Sequence, residues 1–260
     1  DLYRVLSDRP GAGNLFYSPY SLSLALAMTY AGARGVTEEE MAQTLRFNLS
    51  QQDLHSAFNA LDQTLEGRGE GAAGQDDEGF RLSIANAIWG QRDYEFLSTY
   101  LDLLAANYGA GLRVLDFASA PDASRVTIND WVSQETEGKI EDLIPPGGID
   151  PLTRLVLTNA IYFNAAWANP FQEDATGDGP FTRLDGSQVT VPLMHQTESL
   201  GYAEGEGYQV VELPYDGREM AMVILLPERD RFATFEAALD GDRVRHILED
   251  ISYRDVELTM

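Results

Sequence analysis

The stretch that decides the fold is LVLTNAIYF, which occupies residues 155–163. With the residue before it, the run Arg154–Phe163 predicts a long strand that is apolar on both faces, as is typical in the middle of a covered sheet. Side chains two residues apart in a strand share a face. One face therefore carries a lone amide, Asn159, among the apolar side chains of Leu155, Leu157, Ile161 and Phe163. Because a buried amide needs hydrogen-bond partners, Asn159 is a candidate for a special role.

A second informative stretch begins at Ser18-Pro19, where a hydroxyl at the N-cap and a proline at the first helical position predict a helix start. Residues 20–31 are apolar nearly all round, which predicts a helix buried on all sides that ends at Gly32. Downstream, the run Thr37-Glu38-Glu39-Glu40 matches the capping box of another helix. We therefore expect a core large enough to enclose the first of these helices.

The remaining elements follow from periodicity and turn residues. Alternating apolar residues predict strands at 82–89, 189–194, 208–213, 220–226 and 255–260. Helical spacing predicts helices at 1–7, 96–108 and 124–137, and one more containing Phe232, Phe235, Leu239 and Val244. Residues 66–79 are rich in Gly, Glu and Asp and predict a solvated loop or a disordered insertion. Segregated helices and long strands of this kind indicate an α+β fold.

Composition excludes several classes of function. With 260 residues, 44% of them apolar, the chain suits one large domain or two small ones. A formal charge of −24, from 42 acidic and 18 basic residues, argues against binding to nucleic acid or to anionic membranes. The chain has no cysteine, so disulfides, zinc–thiolate sites and cysteine nucleophiles are excluded. The longest apolar run, Tyr20–Ala33, is too short to span a bilayer.

Two motifs resemble known sites without the context that those sites need. Residues 69–74 match GxGxxG, but the preceding segment is predicted helical and acidic residues follow, which would repel a pyrophosphate. Residues 174–185 resemble a calcium loop that lacks its closing glutamate, and a solvated turn is the better interpretation. The three histidines His55, His195 and His246 belong to no catalytic motif. We expect no cofactor, no metal and no enzymatic activity, while a triad assembled through space remains the alternative.

Three stretches resemble the serpin family. Residues 14–21 (NLFYSPYS), continuing through Met28 to residues 32–37 (GARGVT), are similar to the region from helix B to helix C. Residues 128–132 (INDWV), with Thr136 and residues 138–140, resemble helix F and its exit. Residues 157–163, followed by Trp167 and Pro170-Phe171, are similar to strand 3 of sheet A. The resemblance implies a single serpin domain over residues 1–260, in which helices pack around large, mostly antiparallel sheets called A, B and C.

The resemblance also implies a function. A serpin offers an exposed reactive loop to a serine protease, or to a cysteine protease, and the cleaved loop inserts into sheet A as a new strand. A non-inhibitory serpin that acts as a carrier, chaperone or storage protein is the alternative. By resemblance, Ser18, Ser21 and Asn159 form the "shutter" beneath the opening sheet, and Trp167 marks the "breach" where insertion begins. The expected partner is a target protease bound by a monomer, without activation by glycosaminoglycan, because residues 66–78 are acidic.

The chain is expected to be the N-terminal part of a longer protein, because Val256, Leu258 and Met260 alternate up to the last residue without a turn signal. The hinge, the reactive loop and the residue that selects the protease would then lie beyond Met260. No secretory signal is recognisable in residues 1–14. We predict an extracellular location, secreted or periplasmic, with the cytoplasm as the alternative. Asn48 lies in a formal glycosylation sequon that matters only in a secretory eukaryotic host.

Overall fold

The computed structural model describes residues 2–8, 13–69, 71–72 and 80–260. Their contacts divide into two compact units. The first, unit N, comprises residues 17–68 and 81–164, and the second, unit C, comprises the described residues of 1–16, 69–80 and 165–260. Both units combine helices with sheets, so the predicted α+β class is confirmed. The prediction of a single domain over residues 1–260 stays a prediction.

Unit N contains five helices and three strands among the described residues. The helices are α2 (Pro19–Tyr30), α3 (Val36–Leu45), α4 (Gln51–Glu66), α5 (Ser98–Tyr108) and α6 (Pro121–Glu135). The strands are β1 (Arg81–Gln91), β2 (Leu112–Leu115) and β3 (Leu155–Asn164). They form one sheet in the order β2-β1-β3, in which β1 runs parallel to β2 and antiparallel to β3.

The sheet of unit N is covered on both faces. On one face, α2 and α5 contribute Leu24, Ala27, Met28, Leu104 and Tyr108, which pack with Ile88 and with Leu155 and Leu157 of β3. On the other face, α6 contributes Ile128 and Val132, which pack with Ala87, Trp89, Phe117 and Ala160. Burying each large aliphatic side chain contributes about 1.5–3 kcal/mol. The prediction that β3 is covered on both faces is confirmed, but β3 is an edge strand among the described strands and not an inner one.

Helix α2 begins where the sequence predicts. Ser18 is its N-cap, and the Ser18 hydroxyl accepts a hydrogen bond of 3.1 Å from the backbone N–H of Ser21. The prediction that α2 is buried on all sides is wrong, since Leu22 and Leu26 are each 38% exposed. The four-residue spacing of these two leucines places them on one side of the helix. That side is partly exposed within the described residues, and the opposite side faces the sheet.

Two other helix starts differ from their predictions. The capping box at Thr37 does not form, because α3 begins one residue earlier at Val36, and its N-cap Gly35 offers no side chain. Helix α6 begins at Pro121, three residues before the predicted start at Ser124, because proline suits the first helical position. In both cases the backbone preferences of glycine and proline decide the boundary.

Unit C contains the other helices and strands of the described chain. The helices are α1 (Leu2–Ser7), α7 (Phe232–Ala237) and α8 (Gly241–Glu249), and a 3-10 turn covers Glu173–Ala175. The strands are β4 (Gly177–Thr182), β5 (Gln188–Leu193), β6 (His195–Gly205), β7 (Tyr208–Pro214), β8 (Ala221–Pro227) and β9 (Ser252–Thr259). Strands β4 and β5 form an antiparallel pair, and the other four form an antiparallel sheet in the order β8-β7-β6-β9.

The sheet of unit C has two apolar faces. One packs Ala203 and Val210 against Phe235 of α7 and Ile247 of α8. The other packs Leu200, Val211 and Leu213 against side chains that include Trp167 and Phe171. The single predicted helix after β8 is two helices, because the Asp240 side chain caps a new helix by accepting from the backbone N–H of Arg243 at 2.8 Å. No helix in the described ranges is long and apolar enough to cross a membrane.

Candidate functional site

The amide of Asn159 has a partner on the neighbouring strand. Asn159 and Asn86 are directly opposed in the antiparallel register of β1 and β3. The Asn159 Nδ2 donates to Asn86 Oδ1 at 2.8 Å. Asn159 is the lone amide on its own strand face, and its hydrogen-bond partner lies on the neighbouring strand. The sequence did carry a signal for the pair, since Asn86 is the polar residue on the corresponding apolar face of β1, between Ile84 and Ile88.

The amide pair is only half satisfied. Asn159 Oδ1 is buried and has no hydrogen-bond partner within the described chain. An unmet buried acceptor costs about 1–3 kcal/mol relative to a hydrogen-bonded one. The pair lies on the face that α2 covers, because Ile88 and Leu157, which alternate with it, pack against α2. A polar group with one bond unmade thus lies inside an otherwise apolar layer.

Ser18 and Ser21 lie at the start of the helix that covers this same face. The Ser18 hydroxyl is engaged in capping α2. Neither serine hydroxyl bonds to Asn86 or Asn159 in the part of the chain that the structure describes. The structure thus places the three predicted shutter residues on one side of the sheet without joining them by hydrogen bonds.

The opposite face of the sheet carries an aromatic and cationic cluster. Trp89 of β1 donates its indole N–H to Thr158 Oγ1 of β3 at 3.0 Å, and both residues are buried. Trp131 of α6 packs edge-on against Trp89, with ring centroids 5.5 Å apart. The Arg113 guanidinium lies 5.3 Å from the Trp89 ring centroid and 4.8 Å from that of Trp131. Nothing in the spacing of these residues along the sequence predicted this cluster.

Asn129 ties α6 to the segment that leads into β3. Its Nδ2 donates to the Ile144 carbonyl at 2.9 Å, and its Oδ1 accepts from the Ile144 N–H, also at 2.9 Å. Arg125 donates to the same carbonyl at 3.2 Å. Further along, the Thr136 hydroxyl accepts from the Ile140 N–H at 3.2 Å. The connection between α6 and β3 is therefore held along the helix that covers the sheet.

Trp167, the predicted breach residue, lies in unit C just after β3. Its ring stacks on Tyr215, with centroids 4.8 Å apart and planes 10° from parallel. Backbone bonds on either side fix this contact: the Ala168 N–H donates to Pro214 at 3.0 Å, and the Asp216 N–H donates to Ala166 at 2.8 Å. The half-buried indole also meets Phe171 edge-on. Trp167 is therefore anchored to the end of β7 by its neighbours on both sides in the chain.

The three histidines occupy unrelated positions. His55 is 1% exposed, and its Nδ1 lies 2.5 Å from the Tyr108 hydroxyl. His195 Nδ1 lies 2.9 Å from the Thr259 hydroxyl, and His246 bonds to the carbonyl of Asp242 in its own helix. No histidine in the described chain contacts a serine hydroxyl. The described residues therefore contain no Ser-His pair of the kind that a hydrolytic triad needs.

The GxGxxG match and the calcium-loop match differ in how well their predicted surroundings agree with the structure. The residues before the GxGxxG match are helical, as predicted, because α4 continues to Glu66. Of the match itself, only Gly69, Gly71 and Ala72 belong to the described residues, and residues 70, 73 and 74 lie outside them. The prediction of a solvated turn for residues 174–185 is wrong for residues 177–182, which form β4 and pair with β5. An extended strand does not have the backbone of a calcium loop.

Unit N as a whole defines a class of protein: an α+β fold whose covered sheet ends in an apolar strand with no further partner in the described chain. Comparison with known proteins narrows this class. The family model described as "Serpin (serine protease inhibitor)" matches residues 1–260. The chain belongs to the serpin family.

Individual relatives agree with this assignment. The leukocyte elastase inhibitor of Homo sapiens is 40% identical over 230 residues, which are 88% of this chain and 58% of the relative. The leukocyte elastase inhibitor of Xenopus laevis is 36% identical over 265 residues, which are 99% of this chain and 68% of the relative. The solved structure of emu (Dromaius novaehollandiae) ovalbumin matches with a TM-score of 0.92 and 25% identity, over 100% of this chain and 70% of that one. The predicted serpin fold is thus confirmed, and the chain spans about 58% of the human relative.

Proposed function

We propose that the whole protein inhibits a serine endopeptidase by inserting its cleaved reactive loop as a new strand beside β3. The observation that carries this proposal is the match of the serpin family model to residues 1–260, and the condition of β3 agrees with it. Both faces of β3 are packed by helices, yet its outer edge pairs with no strand in the described chain. A strand with two covered faces and an open edge offers a row of backbone donors and acceptors to an incoming segment. Relatives named leukocyte elastase inhibitor support a serine protease as the target, and a cysteine protease is the alternative.

The amide pair supports a shutter role for Asn159 within this proposal. Strands that must move relative to their covering helix need contacts that can be broken and remade at little cost. A hydrogen bond between two amides meets that need better than interlocked apolar side chains. In the proposed mechanism, the unmet Asn159 Oδ1 is available for a new partner, and Ser18 and Ser21 border the same layer.

Trp167 is proposed as the breach residue, where insertion begins. The stacked pair of Trp167 and Tyr215 holds the chain immediately after β3 in a fixed position. In the proposed mechanism, the segment that follows β3 in the chain is thus anchored to the end of β7. This arrangement favours a defined starting register over sliding of the inserted segment.

The alternative is a non-inhibitory serpin that acts as a carrier, chaperone or storage protein. The two functions differ in the hinge that precedes the reactive loop, since small residues permit insertion and bulky or charged residues oppose it. Neither function is enzymatic, and both are proposed for a monomer without cofactor or glycosaminoglycan. The comparisons do not favour the predicted extracellular location. The cytoplasm, the predicted alternative, is compatible with the relatives found.

The deciding experiment uses the protein with its natural continuation beyond Met260. It is incubated with elastase, trypsin, chymotrypsin and subtilisin, and the products are separated under denaturing conditions. If the protein is an inhibitor, it forms a covalent complex with one of the proteases, and this complex survives denaturation. The inhibitor itself also becomes more stable to heat after its loop is cleaved. Cleavage of the loop without a complex, and without a gain in stability, would exclude inhibition and favour the alternative.

The shutter role has its own test in the same protein. The Asn159→Ala variant is expected to change the stoichiometry of inhibition and the tendency to polymerise on warming. Asn48→Ala, at an exposed position, is the matched control. If Asn159→Ala matches the control in stoichiometry, polymerisation and melting, the residue has no shutter role.

A further inference from the structure

One side of β1 is only partly paired. Strand β1 runs from Arg81 to Gln91, but β2 pairs with it only at Ile88–Gln91. On this side, residues 81–87 have no partner strand among the residues that the structure describes. Backbone N–H and C=O groups in such a position need either water or another chain as a partner.

A notch of about 480 Å³ opens beside this unpaired part of β1. Ile84 and Asn86, which point toward α2, and Ala85, which points toward α6, all line it. Lining residues from both faces show that the notch opens on the edge of the strand and not on a face. Its other walls come from α4, from the end of α5 and from α6. Its volume lies within the range of about 300–1,000 Å³ that is usual for ligand pockets.

The charges in the notch favour a cation. Three carboxylates line it, those of Asp62, Glu66 and Glu135, with one cation, Arg113. The Arg113 guanidinium already lies over two tryptophan rings, which hold it by cation–π attraction. Asp62 accepts a hydrogen bond of 2.7 Å from the Tyr20 hydroxyl. Glu66 and Glu135 have neither an ion pair nor a side-chain hydrogen bond within the described chain.

Tyr20 is a partly buried hydrogen-bond donor beside these carboxylates. Burial, the hydrogen bond to Asp62 and the charges of Asp62 and Glu66 raise the pKa of Tyr20 well above its usual value. The phenol therefore stays a neutral donor, and the negative charge of the carboxylates is left uncompensated. Two free glutamates lie beside an unpaired strand edge. A ligand of this notch should therefore carry positive charge and also offer backbone hydrogen-bonding groups.

The geometry selects among ligand classes. No group of three histidine, aspartate or glutamate side chains in the described part of the chain could hold a metal ion, so these carboxylates do not form a metal site. A second copy of the chain is disfavoured, because each copy carries a formal charge of −24. Nucleic acid and anionic lipid are repelled for the same reason. A positively charged segment with free backbone groups meets both requirements.

We propose that the notch beside β1 binds an extended, basic segment of a partner protein. The segment adds a short strand to the free edge at Ile84–Asn86, and an arginine or lysine side chain reaches Glu66 and Glu135. Backbone hydrogen bonds supply affinity in such strand addition, while the side-chain pocket supplies specificity. This site lies at the edge of the sheet opposite to β3, so it is separate from the proposed insertion site.

The test measures binding of a defined probe, the peptide acetyl-Thr-Val-Arg-Val-Thr-amide, to the purified protein by calorimetry at low salt. Three matched probes are citrulline in place of arginine, N-methylation of alternate backbone amides, and arginine amide alone. We expect the arginine peptide to bind and each matched probe to bind at least about tenfold more weakly. Hydrogen exchange should slow at residues 81–87 when the arginine peptide binds.

Variants connect the binding to the notch. Glu66→Gln with Glu135→Gln should weaken binding of the arginine peptide about tenfold, and added salt should weaken it further. The matched control, Glu39→Gln with Glu40→Gln on exposed positions of α3, should leave binding unchanged. The proposal is overturned if the arginine peptide does not bind, if citrulline or N-methylation has no effect, or if both variant pairs respond alike. Hydrogen exchange on the unmodified protein decides the location even if a variant fails to fold.

Discussion

Asn86 and Asn159 are each other's hydrogen-bond partners, but they are not equivalent. Asn159 donates to Asn86 and keeps an unmet Oδ1, whereas Asn86 supplies the acceptor. Replacing Asn159 by alanine removes one bond and also removes the unmet acceptor. Replacing Asn86 by alanine leaves both polar ends of Asn159 buried without a partner.

We therefore expect Asn86→Ala to lower the free energy of unfolding by about 2–3 kcal/mol, and Asn159→Ala by only about 1 kcal/mol. The double variant should cost less than the sum of the two, because the residues share one bond. Urea denaturation of the four proteins measures these differences, with Asn48→Ala as the control on an exposed site. Equal losses for the two single variants would contradict the assigned polarity of the bond.

His55 makes the stability of unit N depend on pH. Burial lowers the pKa of His55, and the charge of Arg34 lowers it further. In the unfolded chain a histidine has a pKa near 6.5. Just below that pH, His55 therefore binds a proton in the unfolded chain but not in the folded chain. The contribution of His55 to stability is fully present above about pH 6.5 and is lost as the pH falls from that value through the lower pKa of the folded state.

The measurement compares His55→Phe with the unmodified protein by urea denaturation at pH 7.5 and at pH 5.5. Removing the titrating ring should leave the variant with the smaller loss of stability on acidification. His246→Gln, on the exposed side of α8, is the control and should lose as much stability between pH 7.5 and pH 5.5 as the unmodified protein. A parallel decline in the His55→Phe variant would exclude His55 as a source of the pH dependence.

At the scale of elements, the hold of Asn129 on Ile144 decides how firmly α6 covers the sheet. One side chain satisfies both backbone groups of Ile144, just before Pro145-Pro146, where a proline nitrogen offers no donor. Asn129→Ala should lower the free energy of unfolding by about 2 kcal/mol, since it leaves the Ile144 N–H without a partner and the Ile144 carbonyl with only the bond from Arg125. It should also speed hydrogen exchange of the Ile144 amide.

Hydrogen exchange read by mass spectrometry tests this expectation at residues 140–150. Gln134→Ala, at an exposed position of the same helix, is the matched control and should leave this segment protected. If exchange at residues 140–150 is unchanged in Asn129→Ala, the clamp does not hold the segment.

The elements differ in how well their sequence predicted them. Strand β3 and helix α2 carry long apolar runs with defined starts, and both were predicted within a residue or two. Strand β4 was missed because GDGPFT has little apolar alternation, and its pairing with β5 forms it instead. Helices α7 and α8 were predicted as one because apolar spacing continues through the Asp240 cap. Local pattern determines the long elements, while cross-strand pairing and side-chain caps determine the short ones.

For the residues of the candidate site, too, local pattern predicted some features and contacts distant in the chain determined the others. Asn159 was identified by its position on an apolar strand face, whereas the proposed roles of Ser18 and Trp167 come from the resemblance of continuous stretches to serpins. The partner of Asn159, by contrast, lies 73 residues away, and the cluster of Arg113 with Trp89 and Trp131 joins three separate elements. Contacts of that kind depend on strand register and helix packing, which the spacing along one chain does not encode.

For the whole molecule, the dominant long-range term is its charge of −24. Repulsion among so many carboxylates favours the unfolded chain. At 0.1 M ionic strength, salt largely screens the repulsion between exposed charges that are more than about 10 Å apart. Raising sodium chloride from 0.02 M to 0.5 M should therefore raise the melting temperature by roughly 3 °C, which corresponds to about 1 kcal/mol for a domain of this size.

Scanning calorimetry in a sodium chloride series tests this expectation. Potassium chloride at equal ionic strength is the control, because general screening does not distinguish the two cations. A fall in melting temperature with salt would show that attractive ion pairs, such as Arg81 with Glu137, outweigh the repulsion. A difference between the two salts would indicate binding of a particular ion.

The distribution of indole rings gives each unit its own optical reporter. Of the three tryptophans in the chain, Trp89 and Trp131 lie together in unit N, and Trp167 lies in unit C. Replacing Trp167 by phenylalanine confines the ultraviolet emission to unit N, and replacing the other two confines it to unit C. Stopped-flow fluorescence of the two proteins would then give separate time courses for the two units and reveal which one rearranges first during the proposed loop insertion.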